Sequence, residues 1–327
     1  MSNLGLLILS AVTLAPLVAQ EPDTEAPIKV EVSVVSILAS VRNKQGGLVG
    51  NLAKEDFLLS EDGKPQTIKY FSRETDLPLT IGLLVDVSAS QERLIDIEKD
   101  AASQFFTHML RQKDMAFLIS FGEECELLQD YTNSARLLRG GLTGLKVNAP
   151  VGTLSGMPGP VPTVYQPRGT VLYDAVFLAA DEKLKGQVGR KVLVLITDGV
   201  DQGSRLHIED ALRAAQKADA VVYSIDYSDP GAYGGRGFGL GMGGAGESAL
   251  RRMSEPTGGQ VFRVDRKHPL DEVFHEIQEE MRSQYAIGYT PVNGVRDGSF
   301  RRIELRTSNK DLKVQARKGY YASKPEE

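Results

Sequence analysis

An apolar segment of this chain ends abruptly in a carboxylate and two hydroxyls. Leu79–Val85 is followed by Asp86, Ser88 and Ser90 in an Asp-x-Ser-x-Ser pattern. Short oxygen-bearing side chains are the ligands that a hard divalent cation such as Mg²⁺ binds in near-octahedral geometry. Because ligands bind outside the carboxyl ends of strands in open α/β sheets, this spacing predicts a metal site at one edge of a sheet.

Three side chains cannot complete an octahedral sphere, so further ligands are expected on neighbouring loops. Val192–Ile196 is a second apolar segment, and it is followed by Thr197-Asp198-Gly199. Thr170 opens an amphipathic helical pattern and places a hydroxyl at a helix start. For any one of these residues a turn or a helix cap is the more common role. The five together, Asp86, Ser88, Ser90, Thr170 and Asp198, favour a metal site.

The elements that would position these side chains alternate between strand and helix from residue 79 to residue 284. Continuous apolar runs indicate strands covered on both faces, as in a parallel sheet. The predicted strands are Leu79–Val85, Met115–Phe121, Val192–Ile196, Val221–Ile225 and Gln260–Val264. Four apolar stripes at helical spacing predict helices between or after them. The stripes are Leu94, Ile97, Ala101, Phe105 and Met109; Val171, Ala175, Ala179 and Leu184; Ile208, Ala211, Leu212 and Ala215; and Leu270, Phe274, Ile277 and Met281.

Both ends of the chain alternate polar and apolar residues with a period of two, which is typical of half-buried strands. The pattern covers residues 28–76 and 285–322, and Asp62-Gly63 predicts a hairpin between Phe57–Ser60 and Thr67–Phe71. We therefore expect a doubly wound, mostly parallel α/β domain (77–284) inserted in a small β-sandwich-like domain built from both ends. Two glycine- and proline-rich stretches, 147–168 and 228–246, read as long loops. In this fold they would reach the face that carries the metal, with Arg168, Tyr165, Tyr233, Arg236 and Phe238 as candidate contacts.

Bulk properties exclude several classes of function. The formal net charge of −5 argues against a nucleic-acid binder, which needs a basic face. The single cysteine, Cys125, rules out an intramolecular disulfide and reads as a small buried apolar residue. The four histidines lack zinc spacing, and no nucleophile elbow or phosphate-binding loop is present. We therefore expect a protein that is not an enzyme.

The first 20 residues differ from the rest of the chain. Leu4–Ala19 is almost entirely apolar, and the first charged side chain is Glu21. This pattern predicts a secretory signal peptide (1–20), although no Lys or Arg precedes the apolar core. An uncleaved anchor and a truncated start stay open. No later segment is long and apolar enough to span a membrane, so we expect a secreted, periplasmic or cell-envelope protein.

In their order on alternating strands and helices, the five oxygen-bearing residues resemble the metal-ion-dependent adhesion site (MIDAS) of von Willebrand factor A (VWA) domains. The likeness covers about residues 79–284. Residues 52–57, 61–65 and 316–321 extend it, and the whole chain is similar to an exported VWFA-related family known mainly from acidobacteria. The resemblance implies that Ser88 and Ser90 bind the metal directly. It also implies that Thr170, Asp86 and Asp198 bind it directly or through water.

The resemblance implies a non-enzymatic, metal-dependent adhesion module. The implied ion is Mg²⁺, with Mn²⁺ or Ca²⁺ as alternatives, and the implied partner is a protein that offers an exposed Asp or Glu. Asp201 is assigned to a turn or to a position behind the ligands. One alternative is a structural or assembly protein of the cell envelope in which the metal only stabilises the fold. Another is a metal-dependent hydrolase, for which the sequence offers no separate general base.

Overall fold

The computed structural model of the chain describes residues 34–73, 77–147, 169–227 and 239–322, and its centre is a six-stranded sheet. The strands of this sheet, in chain order, are β5 (Leu79–Asp86), β6 (Met115–Phe121), β7 (Cys125–Thr132), β8 (Arg190–Thr197), β9 (Ala220–Asp226) and β10 (Val261–Arg263). Their spatial order is β10-β9-β8-β5-β6-β7, and all neighbours are parallel except the antiparallel edge strand β7. The predicted α/β class is confirmed.

Helices cover both faces of this sheet, as continuous apolar strands require. The helices are α1 (Ile95–Met109), α2 (Ala135–Leu142), α3 (Leu172–Leu178), α4 (Ile208–Lys217), α5 (Gly239–Ser254) and α6 (Leu270–Arg282). One apolar core packs α1, α2 and α6 on one face, and a second packs α3, α4 and α5 on the other. A π-helical segment, Ala179–Leu184, extends α3.

Two four-stranded sheets are built from residues of both chain ends. Their strands are β1 (Val35–Arg42), β2 (Phe57–Glu61), β3 (Lys64–Pro65), β4 (Ile68–Arg73), β11 (Tyr285–Tyr289), β12 (Phe300–Thr307), β13 (Lys313–Ala316) and β14 (Gly319–Tyr321). The sheet orders are β13-β1-β11-β4 and β14-β12-β2-β3. A third apolar core contains residues of both sheets, including Ile37, Ile287 and Leu305. The predicted β-sandwich-like layers from both termini are therefore present.

Four predictions of local structure were wrong. The Asp62-Gly63 turn joins β2 to the short β3, whereas β4 pairs with β11 in the other sheet. Helix α1 exposes Ile97 and buries its neighbours Ile95 and Glu98. Helix α5 begins at Gly239, inside the glycine-rich stretch that reads as a loop. Cys125 is only half-buried and opens β7, a strand too polar to be recognised from the sequence.

Several predicted features lie outside the described residues. They are the signal peptide (1–20), most of 147–168, the segment 228–238 and the five aromatic and arginine contacts proposed there. Within the described part of the chain, no helix combines the length and apolar character needed to cross a membrane.

Gly82, in the middle of β5, lets side chains from both neighbouring strands approach the backbone. A Cβ at this position would lie 2.3 Å from Phe117 Cζ and 2.8 Å from Leu193 Cδ2. We expect Gly82→Ala to lower the free energy of unfolding by about 1–3 kcal/mol, because the packed core must shift. Chemical denaturation measures the change. Gly140→Ala is the matched control, because Gly140 lies within α2 and a Cβ there would have no atom within 4 Å. It is expected to leave the stability unchanged or to raise it.

Candidate metal centre

The candidate site lies where the connections from the central strands diverge. From β5 the chain crosses through α1 to β6 on one side, and it returns to β8 on the other side of β5. The carboxyl ends of β5 and β8 are therefore neighbours at a topological switch point, the usual place of ligand sites in open α/β sheets. Residue Asp86 ends β5, and Thr197 ends β8.

Asp86 is fully buried at this switch point. Its Oδ1 accepts a hydrogen bond from the Ser88 backbone N–H at 2.9 Å, and its Oδ2 accepts one from Thr197 Oγ1 at 2.6 Å. Burial raises the pKa of Asp86 to about 6, and the nearby Asp198 carboxylate acts in the same direction. The hydrogen bonds from Ser88 and Thr197 oppose this shift only in part. Within the described part of the chain, no cationic side chain forms an ion pair with this carboxylate.

Ser88 and Ser90 lie next to this carboxylate. The two hydroxyl oxygens are 3.0 Å apart, so both face the same point. Ser88 precedes a short 3₁₀ turn, Ala89–Gln91, which folds the chain back before α1. The end of β5 and the turn after it therefore bring one carboxylate and two hydroxyls together, as the Asp-x-Ser-x-Ser spacing predicts.

Asp198 follows β8 and is 7% exposed. Its Oδ1 accepts a hydrogen bond from the Val200 backbone N–H at 3.0 Å, which holds the carboxylate at the strand end. The next residue, Gly199, has a positive φ of 78°, and a Cβ there would lie 2.5 Å from the Gly246 carbonyl oxygen. A Cβ on Gly246 would lie 2.1 Å from the Asp198 carbonyl oxygen. These two glycines allow α5 to pack directly against the loop that carries Asp198.

Thr170 is tied to the same loop through its backbone. Its carbonyl oxygen accepts hydrogen bonds from the N–H groups of Gln202 and Gly203, both at 3.0 Å. The next residue, Val171, donates to the carbonyl of Gly122, which follows β6. Among the described residues, the Thr170 hydroxyl has no hydrogen bond to the other four predicted ligands. The structure places it at the same edge of the sheet without joining it to them.

A set of polar contacts fixes the loop after β8 against the start of α3. The Asp174 carboxylate accepts hydrogen bonds from the backbone N–H groups of Arg205 and Leu206 at 3.0–3.1 Å. Asp201 accepts one from Ser204 Oγ at 2.5 Å and another from the Tyr173 N–H at 3.3 Å. Asp201 therefore connects this loop to the first turn of α3. The hydrogen bonds of Asp174 and Asp201 fix the positions of the two segments that carry Thr170 and Asp198 relative to each other.

The structure adds two acidic residues that sequence reasoning missed. Asp226 ends β9, and burial raises its pKa to about 6, with the Asp198 carboxylate contributing. Glu98 of α1 is fully buried, and neither of its carboxyl oxygens has a hydrogen bond to another described residue. Burial and the Asp86 carboxylate raise its pKa well above the usual range. Asp226 could have been found from the sequence, because it also follows an apolar strand directly. Glu98 gives no such signal.

The crowding of buried carboxyls predicts an unusual pH dependence for the metal-free protein. The pKa values of Asp86 and Asp226 are higher in the folded protein than the usual 3.8, so the folded state binds more protons between pH 4 and 6. Stability should therefore rise as the pH falls from 7 to 5, by roughly 1 kcal/mol for each carboxyl. Urea denaturation in EDTA measures it. The double variant Asp86→Asn, Asp226→Asn should lose this gain, and an unchanged pH slope would contradict the assignment.

The donor set fits a small divalent cation. The Ser88 hydroxyl lies within hydrogen-bonding distance of Ser90 Oγ and also interacts with the buried Asp86 carboxylate, and a second carboxylate, Asp198, interacts with the first. The Asp86 carboxylate accepts hydrogen bonds from Ser88 and Thr197, and its two oxygens carry about four lone-pair positions, so it could also bind an ion. A divalent ion would supply a countercharge. Among the described residues, no cluster of three or more His, Cys, Asp or Glu side chains is placed to hold a metal ion.

Solved structures with similar backbones include VWA-domain proteins. An aerotolerance-related membrane protein from Bacteroides fragilis, with multiple mutations to serine, is 16% identical, with a TM-score of 0.44 over 62% of this chain and 98% of that one. The VWA domain of SpRpn10 is 13% identical, with a TM-score of 0.40 over 62% of this chain and 95% of that one.

Proximal thread matrix protein 1 from the mussel byssus, solved with a zinc-occupied MIDAS motif, is 13% identical, with a TM-score of 0.45. The alignment covers 68% of this chain and 50% of the mussel protein, so this chain spans about half of its length. No model of a known protein family matches the sequence, and no curated protein matches it. At TM-scores below 0.5 these likenesses carry no argument about the site, which rests on the contacts of Asp86, Ser88 and Asp198 in this chain.

Proposed function

We propose that this chain is a metal-dependent protein-binding module whose site, at the carboxyl ends of β5 and β8, holds Mg²⁺. The observation that supports this most is the fully buried Asp86, which has two serine hydroxyls beside it and no ion pair with a cationic side chain of the described residues. Ser88 and Ser90 would bind the ion through their hydroxyls. Asp86, Asp198 and Thr170 would bind it directly or through water. Mn²⁺ and Ca²⁺ are the alternative ions.

The charge balance of this donor set favours an acidic ligand from another protein. Two carboxylates, Asp86 and Asp198, roughly neutralise an ion of charge +2, and three hydroxyls contribute no charge. The bound ion would stay electrophilic enough to attract an additional carboxylate in an open position. An Asp or Glu side chain of the partner would fill that position. A site with four carboxylates of its own would repel such a ligand.

We propose that the protein acts outside the cytoplasm and has no catalytic activity. The apolar segment Leu4–Ala19, with its small residues at the end, supports export. The donor set offers metal ligands, and two further acids near it, Glu98 and Asp226, are buried away from solvent. A general base must reach a substrate proton directly or through a single water, which these side chains are poorly placed to do.

Peptide capture tests the proposed function. We expect the immobilised protein to enrich peptides that contain Asp or Glu from a random library. The buffer contains about 5 mM Mg²⁺, which is enough to saturate a site whose dissociation constant is below 1 mM. EDTA should release the peptides. Replacing the acidic residue of an enriched peptide by its amide should abolish binding, because the amide carries no charge for the ion.

Ser88→Ala is the matched protein variant for this experiment, since it removes one hydroxyl and leaves both carboxylates. Loss of peptide capture with an unchanged melting temperature supports the binding module. If the wild type captures no acidic peptide but Mg²⁺ still raises its melting temperature, the metal only stabilises the fold, as in the structural alternative.

A further inference from the structure

A groove lies between β12 and β13, which belong to different four-stranded sheets. Its volume is about 860 Å³, and the segment 317–318, which connects β13 to β14, also lines it. β13 is the edge strand of its own sheet. The groove is therefore a seam that no strand of the described residues closes.

The backbone of β12 offers hydrogen-bonding groups along this groove. β2 pairs with one side of β12, whereas on the other side β14 pairs only with Phe300–Arg302. The Ile303 N–H donates to the carbonyl oxygen of Lys318, a lining residue, at 2.9 Å, so it points to the groove. Because hydrogen-bonding groups alternate between the two sides of a strand, the N–H groups of Leu305 and Thr307 point the same way. Beyond Ile303, no described strand pairs with β12 on this side.

The groove is strongly basic, although the whole chain has a net charge of −5. Among the described residues that line it are six Lys or Arg side chains and one carboxylate, Glu304. Arg306 forms an ion pair with Glu304, and Arg317 forms one with Asp219. The other four cations are exposed and form no ion pair with a described residue; they are Arg302, Lys310, Lys313 and Lys318.

We propose that this groove binds an extended acidic segment of a partner protein, which pairs with β12 as an added strand. Backbone carbonyls of the segment would accept hydrogen bonds from the N–H groups of Leu305 and Thr307, the mode by which peptides extend exposed sheet edges. Its carboxylates would lie beside the exposed cations, and this charge complementarity selects an acidic partner over a basic one.

The two faces of β12 determine the side-chain pattern of the partner. Arg302 and Arg306 are exposed on one face, and Leu305 is buried on the other. The half-buried Leu312 and Val314 lie on the opposite wall of the groove and pack against the same apolar core as Leu305. Because side chains alternate along a strand, a segment with alternating acidic and apolar residues fits both faces.

Fluorescence anisotropy of the full chain with a labelled heptapeptide, Glu-Val-Glu-Val-Glu-Val-Glu, tests the proposal. All samples contain EDTA, so that no carboxylate binds through a metal ion. We expect saturable binding of this peptide. The same peptide with Lys in place of Glu, and the acidic peptide with every backbone N–H methylated, should bind at least about 10-fold more weakly. The first loses the charge attraction, and the second loses the backbone hydrogen bonds of an added strand.

Hydrogen exchange locates the bound peptide. The amides of Leu305 and Thr307 should exchange about 10-fold more slowly or less when the acidic peptide saturates the protein, because the added strand provides their acceptors. Peptide binding without new protection at these two amides would contradict strand addition to β12.

The double variant Lys310→Glu, Lys313→Glu reverses two exposed charges of the groove. It should raise the dissociation constant of the acidic peptide about 10-fold or more, because two attractions become repulsions. The control is Lys217→Glu, Lys267→Glu, which makes the same change of net charge at exposed positions outside the groove lining. It should bind like the wild type.

Three results would overturn the proposal. The acidic peptide might show no saturable binding, in which case the cations only protect the strand edge from pairing with other sheets. The methylated peptide could bind as tightly as the unmethylated one, or the two double variants could bind equally. Asp86→Asn, at the metal centre, should leave peptide binding in EDTA unchanged, so failure at either site is distinguishable from failure at the other.

Discussion

Asp86→Asn is expected to abolish Mg²⁺ binding and, at the same time, to stabilise the metal-free protein. The amide keeps the acceptor for the Ser88 N–H but carries no charge, so the ion loses one of its two anionic ligands. We expect the dissociation constant to rise by about 100-fold or more, in line with the loss of a strong charge-assisted contact. Isothermal titration calorimetry measures it.

The gain in stability follows from the raised pKa of Asp86, which is about 6 because of burial. Because its pKa rises from 3.8 to about 6, and a tenfold change in an equilibrium is about 1.4 kcal/mol, the ionised carboxylate costs about 1–3 kcal/mol in the metal-free protein at pH 7. The asparagine variant should be more stable than the wild type in EDTA by this amount, measured by urea denaturation. If the Asp86 carboxylate instead stabilised the metal-free fold, Asp86→Asn would lower the free energy of unfolding, and this result would contradict the prediction.

Glu280→Leu is expected to lower the free energy of unfolding by about 3–5 kcal/mol, the usual cost of breaking a buried charge network from one side. Glu280 of α6 is fully buried and accepts four hydrogen bonds. The donors are Ser40 Oγ at 3.1 Å, Arg42 Nη2 at 2.6 Å, Tyr223 OH at 3.2 Å and Gln260 Nε2 at 2.7 Å. Leucine would leave all four donors without this acceptor.

This network connects β1 of the sandwich layers to β9 and to the segment before β10 of the central sheet. Its loss should therefore loosen the junction between the two parts as well as destabilise the chain. Glu279→Leu, at the exposed neighbouring position of α6, is the control and should change stability by less than about 0.5 kcal/mol. Equal effects of the two substitutions, measured by urea denaturation, would contradict the role assigned to Glu280.

The central sheet and most of the candidate ligands could be predicted because their signals are local. A strand covered on both faces must be continuously apolar, and a polar residue directly after it must lie at the sheet edge. This reasoning located Asp86 and Asp198, and it would have located Asp226. Thr197 was visible in the sequence, but its role as the hydrogen-bond donor to Asp86 depends on the pairing of β5 with β8.

Pairing between distant segments was harder to predict. Asp62-Gly63 correctly indicated a turn, but a turn does not decide which strand Ile68–Arg73 joins, and that strand lies in the other sheet. Glu98 and Glu280 are buried charges on amphipathic helices, where a sequence pattern places charged residues on the solvent side. Helix α5 contains glycines that disfavour helix, and close packing of Gly246 on Asp198 compensates for this.

Binding of Mn²⁺, followed by electron paramagnetic resonance of the free ion, tests the central claim most directly. The account predicts one tightly bound ion per chain, displaced by Mg²⁺ and lost in Asp198→Asn. Thr170→Val should weaken binding about 10-fold, since a hydroxyl that the structure places at the same edge would lose its contact with the ion. Free Mn²⁺ that is unchanged by addition of the wild-type protein would contradict the account.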